Sequence, residues 1–201
     1  MLASIGKFLP ATVVVAITLF ILRELFETWR RWKGRSRKIL ALRMIIAREC
    51  ELNYWTARRL AAAIEDAQRA LRSEPPGKFQ IIQKPDGSDN WHWSDGEGEN
   101  QGGAPLPIVH RKVLDSRSLD VAELDSALFS KFEIVMDAIA DLDHLRGSLL
   151  NYVGSDENDP EAGFFDGFTE YALEEIPDIE AALAALHKAC TGRGQIKARL
   201  R

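Results

Sequence analysis

Two pairs of side chains in the second half of the chain have a spacing that could support chemistry. Asp141 precedes His144 by three residues, and His187 precedes Cys190 by three, in stretches that predict helices. Three residues apart on a helix, both members of a pair can face the same side. A carboxylate with an imidazole can ligate a metal ion, whereas a thiol with an imidazole can form a nucleophilic pair.

Neither pair is complete for the chemistry that it suggests. A di-iron bundle needs two Glu-x-x-His motifs and two further Glu residues, whereas this chain has one copy, with Asp in first place. A nucleophilic cysteine needs an orienting third group, and Cys190 falls on the predicted apolar face of its helix. We interpret His144 as a surface residue and Cys190 as a structural thiol. A metal or hydrolytic enzyme is our third hypothesis.

Oxygen-bearing side chains further upstream follow the spacing of a calcium-binding loop. Positions 1, 3, 5, 9 and 12 of that pattern are Asp86, Ser88, Asn90, Ser94 and Glu97. Position 6 is Trp91 instead of the glycine that the sharp turn requires, and the flanks predict strands instead of helices. An acidic hairpin loop explains the same residues, and we predict no metal and no cofactor.

Trp91, His92 and Trp93 form the most distinctive aromatic cluster. Next to a Gly-rich loop, two indoles on one face of a strand could anchor a partner. Packing as the hydrophobic underside of a hairpin explains them as well, and we favour packing. The chain has no phosphate-binding glycine loop, serine-nucleophile motif, zinc-binding cysteine pattern or dinucleotide motif, so we predict that it is not an enzyme.

The charges are distributed unevenly along the 201 residues. The net charge is −4, but residues 1–72 carry 14 Lys/Arg against 6 Asp/Glu, and the other residues carry 12 against 24. With 46% hydrophobic residues the chain is too apolar to be disordered, and its two cysteines exclude a disulfide framework. The length suits one domain of moderate size, or a small domain with an appendage.

The appendage is an apolar N-terminus. Residues 8–22 carry no charge, and residues 2–6 extend the run to about 20 positions, interrupted by Lys7, which is roughly one hydrocarbon thickness. This predicts a single transmembrane helix. The basic residues follow the run instead of preceding it, which argues against a cleaved signal peptide. A buried core helix is the alternative.

Aromatic and basic residues follow the apolar run as a membrane-interface anchor would. This predicted anchor consists of Trp29, Arg30, Arg31, Trp32, Lys33, Arg35, Arg37 and Lys38. The positive-inside rule then places the N-terminus outside and the bulk of the chain in the cytoplasm, at the inner membrane, with anionic lipid headgroups as partners. We predict no nucleic-acid partner, because the rest of the chain is acidic.

A long helix is predicted over residues 37–72, ended by Pro75, Pro76 and Gly77. Its apolar stripe consists of Leu42, Ile46, Cys50, Asn53, Ala57, Leu60, Ile64, Ala67 and Leu71. Asn53 interrupts this stripe, either as a locally bonded amide or as a polar contact that sets the register against another helix. Residues 23–33 are compatible with a helix and Gly34 is the only obvious break, so the sequence leaves open whether this helix is continuous with the apolar run.

A small β insertion is predicted next. Residues 78–84 and 90–94 read as a hairpin around the turn-forming residues 85–88, with Trp91 and Trp93 on one face. Residues 94–107 read as a loop, and residues 108–114 as a third short strand.

The second half predicts further helices. Asp120 and Glu123 have the spacing of a capping box. A seven-residue apolar repeat, broken by Asp125 and Arg146, contains Val121, Leu128, Phe132, Val135, Ile139, Leu142, Leu149 and Val153. Another helix starts at Phe164, Pro177 starts or kinks a last one, and Gly192 caps it. Residues 120–180 contain 17 acids and only two bases.

These patterns predict a mainly α fold: a transmembrane helix, then an antiparallel cytoplasmic bundle of three or four helices with an inserted β-hairpin. The predicted segments are 1–33 (span and anchor), 34–77 (long first helix), 78–117 (β insertion), 118–192 (acidic bundle) and 193–201 (basic tail).

The leading functional hypothesis is a membrane-anchored interaction or assembly protein, a subunit of a membrane-associated complex. Its partner would be another protein or a second copy of the chain, contacted through the acidic surface, Asn53, Trp91 or Trp93. The alternative is an effector or sensor whose bundle regulates the span. No charged residue lies in residues 8–22, which argues against a built-in ion pathway.

Overall fold

The computed structural model describes residues 10–85, 87–94, 98, 101–154 and 164–196. In these ranges the chain is mainly helical, with a small antiparallel sheet, as predicted. The elements are α1 (Ala11–Leu71), β1 (Lys78–Gln83), β2 (Asp89–Ser94), β3 (Gln101–Pro105), α2 (Lys112–Leu124), α3 (Ser126–Gly154) and α4 (Phe164–Thr191). The chain divides into two compact units, Met1–Leu42 and Arg43–Arg201.

The predicted transmembrane helix is not supported. Among the helices that the structure describes, none is long and apolar enough to cross a membrane. Within α1 the uncharged residues 11–22 are followed directly by Arg23 and Glu24. Twelve helical residues rise about 18 Å, against roughly 30 Å of hydrocarbon. Gly34 does not break α1, which continues to Leu71 and ends before the predicted Pro-Pro-Gly stop.

The predicted apolar stripe of the long helix is buried. Every member from Leu42 to Ala67 is at most 6% exposed, Asn53 included. The seven-residue repeat of the second half is likewise buried from Val121 to Leu149, whereas the side chain of Val153 lies outside the described residues. From Ile46 to Ala67 the first stripe, and from Val121 to Leu149 the second, therefore lie in the core of the unit Arg43–Arg201, as their periodicity predicts.

The helices of this unit alternate in direction. Arg72, just past the end of α1, forms an ion pair with Glu170 near the start of α4, at 3.1 Å. Earlier on α1, Glu51 lies 3.4 Å from His187 near the end of α4. The ring of Tyr152, at the end of α3, contacts Phe168 near the start of α4, with centroids 5.1 Å apart. The helix α4 therefore runs antiparallel to both α1 and α3, which confirms the antiparallel bundle.

The predicted hairpin is confirmed, but the predicted third strand is wrong. Strands β1 and β2 pair antiparallel, with Ile81 opposite Trp91 and Phe79 opposite Trp93. The third strand, β3, lies within residues 94–107, which we predicted as a loop, and it pairs with β2. Residues 108–111 are instead irregular, and Leu114 is the third residue of α2.

The predicted capping box is also wrong. Asp120 lies within α2, which begins eight residues earlier at Lys112. The residue that separates α2 from α3 is Asp125, whose Oδ1 accepts a hydrogen bond from the Leu128 N–H at 3.2 Å. That is the geometry of an N-cap, so one polar residue of the apolar repeat marks a helix boundary.

The last helix is longer than predicted. Helix α4 runs from Phe164 to Thr191 with Pro177 in its interior, so Pro177 does not start a new helix. Its end is the one that the sequence predicts. Gly192 adopts a φ of +72°, and its N–H donates to the Lys188 carbonyl at 2.8 Å, as a C-terminal glycine cap does.

Candidate functional site

The first half of α1 exposes large apolar side chains on all its sides. Leu19, Phe20, Ile21 and Leu22 are 45–64% exposed, and four consecutive helical residues cover about 300° of the helix circumference. A helix that packs on one neighbour is apolar on one stripe only, whereas a helix that is apolar all round is suited to apolar surroundings. Residues 11–22 therefore present exposed apolar side chains around most of the helix circumference.

Aromatic and basic side chains follow these apolar residues on the same helix. Trp29 and Trp32 are 53% and 67% exposed, and the Lys33 ammonium lies 4.8 Å from the centroid of the Trp29 ring. Glu27 is bound by Arg23 at 3.1 Å and by Arg31 at 3.4 Å, so its negative charge is compensated within the helix. The segment 29–38 therefore presents indoles and a net positive charge. We call residues 11–38 the apolar–basic segment.

A row of buried polar side chains on α1 holds the chain that enters α2. The Glu49 carboxylate accepts the N–H groups of Val113 and Leu114 at 3.0 and 2.7 Å, which caps the N-terminus of α2. Asn53 exchanges two hydrogen bonds with the main chain of His110.

The same row ends at Thr56, whose hydroxyl donates to the Ile108 carbonyl at 3.1 Å. Of the three residues in this row, the sequence pattern marks only Asn53 as a polar interruption of the apolar stripe. The recurrence of polar residues at positions 49, 53 and 56 on a buried face is the signal that could have revealed the whole row.

The aromatic cluster is divided between the core and the surface. Trp91 is 1% exposed and stacks on Phe79, with ring centroids 5.2 Å apart, whereas Trp93 is half-buried and His92 is exposed. Trp91 and Asn53, two of the three candidate interaction residues, are therefore buried in contacts within the chain. For the calcium pattern, Asp86 and Glu97 lie outside the described residues, and Ser94 ends β2.

The two candidate chemical pairs have different surroundings. Asp141 and His144 are both exposed on α3. His187 is 3% exposed and faces Glu51, while burial raises the pKa of the Cys190 thiol to about 11, with a further increase from Asp125 and a partial offset from Arg43. A thiol with that pKa is protonated at neutral pH, which is the opposite of an activated nucleophile. No group of three or more potential ligands is arranged for a metal ion within the described ranges.

The outer face of α3 is acidic. Glu133, Asp137 and Asp141 are exposed one turn apart, and among the described residues none of them forms an ion pair. Ile134, next to Glu133, is 59% exposed. Carboxylates four residues apart repel each other by about 0.2–0.5 kcal/mol per pair, and a cationic partner would relieve that repulsion. We call Glu133, Ile134, Asp137 and Asp141 the acidic face.

Comparisons of the chain with models of known families, with curated proteins and with solved structures return no match.

Proposed function

We propose that the protein is a membrane-associated assembly protein, held in lipid by its apolar–basic segment. The observation that carries this proposal is the exposure of large apolar side chains on every side of residues 11–22, directly before an aromatic and basic stretch. Transfer of one Leu or Phe side chain out of water is worth roughly 1.5–3 kcal/mol. Several such side chains outweigh the contribution of the cations, at roughly 1 kcal/mol each.

The basic stretch supports association with the cytoplasmic leaflet of the membrane. Six Lys/Arg side chains lie within residues 30–38, against no acid. Anionic lipids give the cytoplasmic leaflet a negative surface potential, which attracts such a stretch, and Trp29 and Trp32 suit the headgroup region. The proposal therefore places the segment in the cytoplasmic leaflet, with the unit Arg43–Arg201 tethered to it.

The acidic face supports an assembly role for the tethered unit. Its carboxylates have no cationic partner among the described residues, and Ile134 adds exposed apolar area beside them. A basic protein surface, on another protein or on a second copy of this chain, has the complementary charge.

Vesicle flotation tests the anchoring proposal. The full-length protein is transferred from detergent to vesicles of phosphatidylcholine, with or without phosphatidylglycerol. We expect it to float with both, to recover better with the anionic vesicles, and to stay bound in 1 M salt because apolar insertion is not screened.

Two variants distinguish insertion of the apolar residues of α1 from nonspecific adsorption of the protein to vesicles. The double variant Leu19→Glu/Phe20→Glu places two charges in the apolar segment and should abolish flotation. The control Ile134→Glu changes a similarly exposed apolar residue on α3 and should float like the wild type. Equal flotation of the double variant and the wild type would refute the anchoring proposal.

A further inference from the structure

A cavity of about 260 Å³ lies between α1 and the β2–β3 hairpin, within the unit Arg43–Arg201. Arg59, Ala62, Ala63 and Asp66 share one face of α1, because they are spaced by three and four residues. The two alanines leave the space, and Trp91, Ala104, Pro105 and Leu106 form the other wall.

The two charged side chains that line the cavity, Arg59 and Asp66, differ in their ion pairing. The Arg59 guanidinium lies 4.1 Å from the centroid of the Trp55 ring, and no carboxylate of the described residues forms an ion pair with it. The Asp66 carboxylate, in contrast, is bound by Arg69 at 3.0 Å. Among the described residues, Arg59 therefore has no counter-ion at the cavity, whereas Asp66 is already compensated, which favours an anionic ligand.

The inner wall of the cavity is fixed by the packing of Trp91. Trp91 is 1% exposed and is stacked on Phe79, so its indole is held in place. The buried Nε1–H of Trp91 has no hydrogen-bond partner among the described residues. Buried donors are normally satisfied in folded proteins, so Trp91, one of the lining residues, carries an unsatisfied donor in the described part of the chain.

We propose that this cavity binds a small organic anion, with its carboxylate on Arg59 and a compact apolar body against Ala63, Leu106 and Trp91. The volume lies below the roughly 300–1,000 Å³ of sites for drug-sized ligands, so the ligand is about the size of benzoate. The proposal goes beyond membrane anchoring, because none of the lining residues belongs to the apolar–basic segment.

Titration of the detergent-solubilised full-length protein with sodium benzoate tests the proposal. The indole N–H signals of the five tryptophans serve as probes, and Trp91→Phe assigns the signal of Trp91. We expect a saturable shift of the Trp91 signal, with Trp29 and Trp32 unaffected. Benzamide, which has the same shape without the charge, should bind about tenfold more weakly.

Variants at the mouth of the cavity test the role of charge. Arg59→Gln should weaken benzoate binding about tenfold, and Asp66→Asn should strengthen it by removing a nearby negative charge. Arg58→Gln removes a neighbouring exposed cation that does not line the cavity and should change nothing. Ala62→Phe should block binding by filling the space. Thermal unfolding verifies that each variant is folded.

Three results would each overturn the proposal. They are the absence of a saturable Trp91 shift up to about 20 mM benzoate, equal affinities for benzoate and benzamide, and an Arg59→Gln variant that binds as tightly as the wild type. None of them bears on vesicle flotation, so the two proposals fail independently.

Discussion

The side-chain amide of Asn53 pairs with the main chain of His110, 57 positions later, as a neighbouring strand would. Its Nδ2 donates to the His110 carbonyl, and its Oδ1 accepts the His110 N–H at 2.8 Å. Asn53 is fully buried. The polar residue that interrupts the apolar stripe of α1 thus satisfies both backbone groups of a residue outside any helix or strand.

Asn53→Ala should lower the free energy of unfolding by about 2–3 kcal/mol, because it removes two hydrogen bonds and leaves the peptide groups of His110 unsatisfied. Thr56→Val is the matched control on the same face, and it should cost only about 0.5–1.5 kcal/mol because it removes one hydrogen bond. Urea unfolding followed by far-UV circular dichroism measures both. If the two variants lower the free energy of unfolding equally, the second hydrogen bond of Asn53 does not add to the stability of the fold.

The sequence predicts the helices of the bundle better than it predicts the sheet and the irregular segment that pack against them. Apolar residues at helical spacing identify the buried faces of α1, α3 and α4, because this periodicity arises when one face of a helix packs against the core. Polar residues on those faces mark the places where other segments attach. Asp125 caps α3 and binds Arg43, and Arg146 binds the sheet.

The sheet and α2 show where sequence patterns fail. Strand β3 contains Gly102, Gly103 and Pro105, which are poor strand formers, so its pairing with β2 depends on tertiary contacts that no local pattern reveals. The start of α2 was missed for a similar reason. Its N-terminus is capped by Glu49, a residue more than 60 positions away, instead of by a local Ser, Thr or Asp.

Arg146→Met should destabilise the fold by about 2–4 kcal/mol, because it leaves the mostly buried Asp89 carboxylate without its cation. The Arg146 guanidinium donates to Asp89 at 2.7 Å and to the Pro107 carbonyl at 2.8 Å, and the two side chains are 16% and 17% exposed. Urea unfolding measures the loss.

The control for Arg146 is Arg72→Met, which breaks an ion pair whose side chains are more than half exposed and should cost at most about 1 kcal/mol. The double variant Arg146→Met/Asp89→Asn should recover part of the loss, because it no longer buries an uncompensated charge. If the double variant loses as much free energy of unfolding as the two single variants together, Arg146 and Asp89 do not stabilise each other as an ion pair.

Two glycines should respond to alanine in opposite directions. At Gly102 a Cβ would lie 2.7 Å from Nε1 of Trp93, so Gly102→Ala should destabilise the sheet by about 1–3 kcal/mol. At Gly147, inside α3, a Cβ meets nothing within 4 Å, so Gly147→Ala should stabilise the protein by about 0.5–1 kcal/mol through helix propensity. Chemical unfolding of both variants checks the signs. Loss of stability in Gly147→Ala would show that α3 is packed more tightly there.

The buried thiol of Cys50 and the partly buried thiol of Cys190 should make the protein less stable as the pH rises above 9. Burial raises the pKa of Cys190 to about 11 from the ordinary 9.0, and burial, with smaller contributions from Cys190 and Glu49, raises the pKa of Cys50 as well. Between pH 9 and 11 the unfolded thiols therefore ionise while the folded thiol of Cys190 keeps its proton. Since the folded state then binds more protons than the unfolded state, the free energy of unfolding falls with increasing pH.

Cys190→Ala should remove part of this pH dependence. We expect the difference in free energy of unfolding between the wild type and Cys190→Ala to be constant below pH 9. From pH 9 to 11 the free energy of unfolding of the wild type should fall more steeply than that of Cys190→Ala. Taking the difference between the two proteins cancels groups that do not interact with Cys190, such as Tyr54, whose pKa is raised by burial and by Glu180. Cys50 contributes to the difference because Cys190 helps to raise its pKa. Urea unfolding at pH 7, 8, 9 and 10 measures it. A difference that stays constant to pH 10 would mean that Cys190 ionises equally well in the folded chain, and a nucleophilic role would regain support.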